Sequence, residues 1–305
     1  MNENSKITIL LCSHLCTSSD MKPFETKEWT LFSENLKINK IQPFDILSFS
    51  DDDFRVRLGL DINQIERINM LIERNIDLEK EIKNYEKINI KIMTRDDATY
   101  PELIKSKLYN LSPPILYYCG DLALLSQKYI GFVGSRSIEQ QDEDFTNKIV
   151  TVVNKKGFGV VSGGAKGVDS IATSTSLKNN LPCIEYISDS MNRKLRNKDT
   201  LAYIESGKLL VFSTTKPDAG FEVGNAMARN KLIYAQSEGT VVVKADYNKG
   251  GTWSGATENL KKQYCDEYCW KNNDYKGNSE LIKLGAIGID ENWDGELALK
   301  LFSIL

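Results

Sequence analysis

The spacing of apolar positions along the chain changes once, near residue 89. Before that point the period is helical: Trp29, Phe32 and Leu36 recur at i, i+3 and i+7. Asp61 stands where a helix N-cap would, and Ile65, Ile68 and Ile72 follow it. Leu78, Ile82 and Tyr85 continue the pattern with charges on the opposite face. Residues 1–88 are therefore expected to form a small helical domain. From Asn89 "INIKIMT" alternates as a strand does, Tyr100-Pro101 opens a short amphipathic segment, and Pro113-Pro114 breaks the chain before a second strand-like run, "ILYYCG".

A regular alternation follows. "YIGFVG", "FGVVSG", "PCIEYIS", "KLLVFST" and "GTVVVKA" are short, nearly continuous apolar runs, separated by helical stretches. Phe145, Ile149, Val152 and Val153 share one helical face, a second helix opens at Val168, and others run through Asn225–Ser237 and Trp253–Gln263. Apolar strands alternating with helices predict parallel strands covered on both faces, and right-handed crossovers then give an open, doubly wound sheet. The expected class is α/β, with a mainly parallel Rossmann-like domain over residues 89–305.

Composition narrows the chemistry. The net charge of -3 supplies no global attraction for nucleic acid, so an anion site has to be a local patch. Residues 1–88 hold 12 Lys and Arg against 16 Asp and Glu, and the remainder is balanced at 27 against 26. A single histidine, His14, excludes a histidine-rich metal cluster, and any Ser-His-Asp triad would have to use it. Cys12 with Cys16 and Cys265 with Cys269 have a spacing seen among zinc ligands, but six cysteines without a secretory signal read as reduced cytoplasmic thiols, with no metal or cofactor expected. No apolar run reaches the ~20 residues of a membrane helix.

In an open parallel sheet ligands bind beyond the carboxyl ends of the strands. The residues there are Gly134, Ser135 and Arg136, then Gly163, Gly164, Lys166 and Gly167, then Arg229, Asn230 and Lys231, then Gly250 and Gly251 behind Lys249. Glycine lets an anion approach the backbone amides closely, and Arg136 and Lys166 add full charges. Any one of these loops is most simply a tight turn; several on one edge shift the balance toward an anion site. "GFVGSR" lacks the dinucleotide fingerprint, and "GGAKG" lacks the phosphate-loop order and its Ser/Thr, which disfavours standard NAD and ATP chemistry.

These residues resemble the DNA-processing protein A (DprA/Smf) family. "YPELI" and "SPPILYYCGDLALL" are similar to its lead-in, "FVGSR" and "VVSGGAKGVDSIA" to its first two loops, and "ARNKLIYAQS", "GGTWSGA" and "GNSELIKLGA" to its later segments. "QPFDILSFSDDDFRVRLGL" is more weakly similar to its N-terminal SAM-like domain. The resemblance implies an extended Rossmann-like fold that binds single-stranded DNA without catalysis, as a homodimer through that domain, and loads a RecA-type recombinase during DNA uptake and processing. The strand-binding cations would be Arg136, Lys166, Arg229 and Lys231. This chain has Thr173 where the family has histidine, Ala226-Met227 for Phe-Pro, and Lys231 for arginine. The missing Phe removes a base-stacking surface, and Tyr and Phe residues near the groove are expected to stack bases, with no particular one assigned. Only 15 residues follow Asp290, fewer than the family's C-terminal winged helix needs. Two other readings stay open: a component of an antiphage or toxin–antitoxin system whose acidic helices meet a partner such as a toxin, and a Rossmann-type nucleotide or second-messenger sensor. The P-G-G-x-G-T-x-x-E motif of related phosphoribohydrolases is matched only loosely by "KGGTWSGATE", with Glu258 poorly spaced.

Overall fold

A computed structural model describes residues 2–18 and 21–297. Backbone contacts divide the chain into two compact units. One takes in the chain up to Cys119 together with Ser213–Ala219; the other takes in Gly120–Phe212 and the chain from Gly220 onward.

The first unit opens with helix α1 (Glu3–Cys12), capped by the Asn2 side chain, which accepts from the Ser5 amide at 2.7 Å. Every residue from Ile7 to Cys12 is buried, so the C-terminal half of the helix is covered on all sides and carries no amphipathic period to read. Then come α2 (Thr26–Ile38), α3 (Asp51–Leu58), α4 (Ile62–Glu73) and α5 (Asn75–Glu86). The expected helical residues Trp29, Phe32, Leu36, Ile65, Ile68, Leu78, Ile82 and Tyr85 are buried, and Asp61 caps α4. Strand β1 (Lys91–Thr94), helix α6 (Glu102–Leu108) and strand β2 (Ile115–Cys119) complete this unit, with β1 and β2 antiparallel. The change of period near residue 89 thus falls inside a compact unit. The Ser5 hydroxyl of α1 donates to Asp97 at 2.6 Å and accepts from Thr94 Oγ1 at 3.2 Å, tying the strand segment to the helices.

The second unit alternates β3 (Tyr129–Val133), α7 (Gln140–Lys155), β4 (Gly159–Ser162), α8 (Val168–Lys178), β5 (Cys183–Ile187), the short helices α9 (Met191–Lys194) and α10 (Lys198–Glu205), and β6 (Leu209–Ser213). It continues with α11 (Val223–Gln236), β7 (Gly239–Val242), α12 (Gly250–Lys262), β8 (Asp266–Trp270), α13 (Lys276–Lys283) and β9 (Ile287–Ile289). Every residue of β3 to β7 is buried, as strands covered on both faces require. The strand order is β6-β5-β4-β3-β7-β8-β9, and each pair from β5 to β9 runs parallel. From β3 the chain first winds outward through β4, β5 and β6, then returns to β3's other side for β7. The order therefore reverses between β3 and β7, and loops on that edge diverge and leave a crevice.

Strands β8 and β9 were not expected from the apolar runs. β8 begins Asp266-Glu267, and Glu267 is only 3% exposed. Burial pushes its carboxyl up to about 8, against the Asn259 amide, which donates to Oε2 at 3.0 Å. A protonated glutamic acid is tolerable in a buried strand, and that is not visible in a hydropathy pattern.

Candidate functional site

The crevice at the switch point is a cleft of two adjoining lobes, each of about 380 Å³. The first, basic lobe is lined by Arg136 from the β3–α7 loop, Gly163, Gly164 and Lys166 from the β4–α8 loop, Arg193 and Lys194 of α9, and Arg229 of α11. The second is lined by Gly134 and Ser135, by Val223, Asn230, Ile233 and Tyr234 of α11, by Lys244 and Asp246 beyond β7, and by Lys249, Gly250 and Gly251 at the start of α12. Arg136, Ala165, Phe221 and Arg229 line both lobes.

Arg229 sits at the centre. It is 4% exposed, its Nη1 lies 3.8 Å from the Asp169 carboxylate, and its Nε and Nη1 have no hydrogen-bond partner. Burial holds the guanidinium below its ordinary value while Asp169 acts in the opposite direction and Arg136 adds to the depression. Burial likewise raises Asp169, against the pull of Arg229. An arginine so placed, 3.8 Å from its carboxylate and lining both lobes, puts positive charge at the centre of the cleft.

Close packing at two of the loop glycines contributes to this geometry. A Cβ on Gly163 would fall on the Arg229 guanidinium, 2.6 Å from Nη2 and nearer still to Nη1 and Cζ. Gly167 has φ +83° and lies against the Ser135–Arg136 backbone, where a Cβ would come within 2.9 Å of Arg136 Cα. The Val168 amide donates to the Ser135 carbonyl at 3.3 Å, so the two basic loops are stitched together. Asn230 donates to the Gly251 carbonyl at 3.0 Å and clips α11 to the start of α12.

Lys231 is not brought into the cleft. Two residues along a helix point some 200° apart, so with Arg229 inward Lys231 faces away. It is half-buried, lowered by that burial and raised in turn by Glu258 of α12. Gly167 acts behind the cleft wall. The sequence reading missed Arg193, Lys194, Lys244 and Phe221. Lys194 pairs with the buried Glu185 and Arg193 with Asp189 at 3.0 Å. Lys244 is committed to Asp142 at 3.0 Å and Glu139 at 3.6 Å, with Tyr275 donating to Asp142 at 2.6 Å. Of the cleft's cations, then, Arg193, Lys194 and Lys244 are held by close carboxylates, while Arg136, Lys166, Arg229 and Lys249 keep charge to offer a ligand. Among the described residues no group of three or more His, Cys, Asp and Glu could hold a metal, and no helix is long and apolar enough to cross a membrane.

A doubly wound parallel sheet with a basic, glycine-packed cleft at its reversal point defines a Rossmann-like protein with an anion-receptive edge. Comparison with known proteins gives the family. The model for DNA recombination-mediator protein A matches residues 91–294, and the chain belongs to that family. It is 29% identical over 175 residues to protein Smf of Synechocystis sp., covering 55% of this chain and 43% of that one. It is 27% identical over 168 residues to DNA processing protein DprA of Bacillus subtilis, covering 54% and 56%. The aligned part thus spans about half the length of these relatives. Among solved structures, DNA processing protein A from Streptococcus pneumoniae shares the fold at a TM-score of 0.62 and 24% identity, covering 87% of this chain and 95% of that one. DNA processing protein A from Helicobacter pylori, described for its single-stranded DNA binding mode, aligns at a TM-score of 0.52 and 26% identity over 66% of this chain and 90% of that one.

Proposed function

We propose that the cleft binds single-stranded DNA through its phosphates and that the protein acts as a recombination mediator without catalysing a reaction. The observation that carries this reading is the convergence of Arg136, Lys166 and Arg229 on one cleft. Such a site has use for a phosphate oxygen. Family membership and the strand-binding relative support the polymer over a free nucleotide. Gly134, Ser135, Gly163, Gly164, Gly167, Asn230, Gly250 and Gly251 shape the path, and Arg136, Lys166 and Arg229 contact phosphates.

The proposal extends to a homodimer through the sheet-bearing unit and to hand-over of the strand to a RecA-type recombinase, in keeping with the family's description as a recombination mediator. The test is fluorescence anisotropy with a labelled oligonucleotide and the Arg136→Ala/Lys166→Ala double variant. Affinity should fall for every sequence alike, and the slope of log K against log[salt] should shrink by about 1.4, since each single-strand phosphate contact contributes about 0.7. Unchanged affinity in that variant refutes the assignment.

A further inference from the structure

We propose that a basic ridge formed by helix α9 and the start of α10 carries the phosphates of a single strand out of the cleft, with Arg196 and Lys198 as its contacts and Arg193 as the link to the basic lobe. The inference rests on the strand-binding reading and adds to it a second, length-dependent stretch of contact.

Residues 193–198 read Arg-Lys-Leu-Arg-Asn-Lys, four cations without an acid in a chain of net charge -3. A run of that kind is ordinarily a solvated surface; here the fold gives it a direction. Met191 is fully buried and Leu195 is 8% exposed. The two stand about one helical turn apart and pin one face of α9. Ser190, left-handed at φ 44° and ψ 48°, starts the turn, and its carbonyl accepts from the amides of Arg193 and Lys194 at 3.0 Å each. The turn runs on, the Arg196 amide donating to the Arg193 carbonyl at 3.2 Å and the Asn197 amide to the Lys194 carbonyl at 3.1 Å. Arg193 and Arg196, three residues apart, therefore share the face away from Met191, and both are exposed. Asn197 then caps α10, its side chain accepting from the Thr200 amide at 2.9 Å, which puts the exposed Lys198 in the first turn of that helix.

The cations differ in what already holds them. Lys194 is turned to the buried Glu185 and Arg193 to Asp189 at 3.0 Å, whereas among the described residues Arg196 and Lys198 form no ion pair. The Arg193 side chain is 79% exposed, and a surface pair of this kind holds its cation weakly. Lys198 stands at the end of α10 where the helix dipole disfavours a cation, so the helix itself gains nothing from it. Arg193 and Lys194 also line the basic lobe beside Arg136, Lys166 and Arg229, which makes the ridge continuous with the cleft. A backbone whose phosphates reach Arg193 meets Arg196 and Lys198 next, and contacts of this kind read charge without reading sequence. An acidic protein segment carries the same charge, but continuity with a phosphate-holding cleft favours the strand.

The experiment measures binding of oligo-dT of about 5 and about 16 nucleotides, lengths within the range of single-strand site sizes. The proteins are the wild type, Arg196→Ala/Lys198→Ala, the charge-keeping Arg196→Lys/Lys198→Arg, and Lys27→Ala/Lys37→Ala, which removes the same charge from exposed positions on α2. R196A/K198A should bind the longer strand about 25-fold more weakly at about 0.1 M salt, with a slope of log K against log[salt] smaller by about 1.4, two contacts at about 0.7 each. It should bind the shorter strand as the wild type does. The charge-keeping variant and K27A/K37A should match the wild type on both strands. Unchanged affinity of R196A/K198A for the longer strand overturns the proposal and removes the strand as the ridge's partner. An equal loss on both lengths overturns it too, since the ridge would then act through the cleft. So does an equal loss in K27A/K37A, which would mean that net charge alone is felt. A wild-type protein that binds neither strand at low salt overturns the strand-binding reading itself, an outcome separate from these.

Discussion

Gly163→Ala adds one methyl group, and the structure puts that methyl where the Arg229 guanidinium lies. Gly163 does not have positive φ, so alanine is tolerated by its backbone. The far end of Arg229 must therefore leave the cleft floor, taking its positive charge with it, while the chain's net charge stays the same. A hydrogen bond to a charged group contributes about 1.5–3 kcal/mol, which corresponds to about a 10- to 150-fold loss of single-strand affinity at 1.4 kcal/mol per decade. The salt slope should shrink by about 0.7, one phosphate's share. Anisotropy titrations on four proteins form the assay: wild type, G163A, Arg229→Met, and the double variant. If Gly163 acts by making room for Arg229, the double variant binds no more weakly than R229M, because the methyl group has nothing left to displace. Full additivity of the two substitutions, or wild-type affinity in G163A, refutes the reasoning.

Two further outcomes follow from the same geometry. Lys231→Ala should change single-strand affinity by less than about twofold, about 0.4 kcal/mol, because Lys231 faces Glu258 and lies outside the cleft; a tenfold loss in anisotropy would return it to the binding surface. Glu267 titrates near 8 in the folded chain against about 4.3 for an ordinary glutamate, so the folded state binds the extra proton and stability falls as pH rises from about 4 to 8 and levels off above. Glu267→Gln removes that loss, and its gain in melting temperature over wild type should be small at pH 5 and largest at pH 8 and above; an equal difference at both pH values contradicts a raised Glu267.

Much of the sheet and the heart of the cleft are legible in the residues. Buried strands on both sides of the β3–β7 reversal read as apolar runs, and Arg136, Lys166 and Arg229 follow from asking what lies beyond the strand ends. The remainder is hidden for physical reasons. Helix α1 is buried on every side from Ile7 to Cys12, so no period betrays it, and β8 opens with two acids, one of them neutralised only by its burial. Lys231 looks equivalent to Arg229 in the sequence, but the helical turn between them points it elsewhere, a distinction the spacing alone could have made. Phe221 sits in a loop without periodicity, and only the fold carries it over Arg136. At Gly163 and Gly167 the missing Cβ makes room for a guanidinium and a neighbouring backbone, a close approach that the sequence pattern does not show.

The central claim is that Arg136, Lys166 and Arg229 jointly hold the phosphates of a single strand. The most direct measurement is the salt dependence of equilibrium binding to single-stranded and double-stranded oligonucleotides of one sequence. The account predicts tighter binding of the single strand and a slope of log K against log[salt] of about -2 per protomer, three phosphates at about 0.7 each. A slope near zero, or equal binding of the duplex, contradicts it.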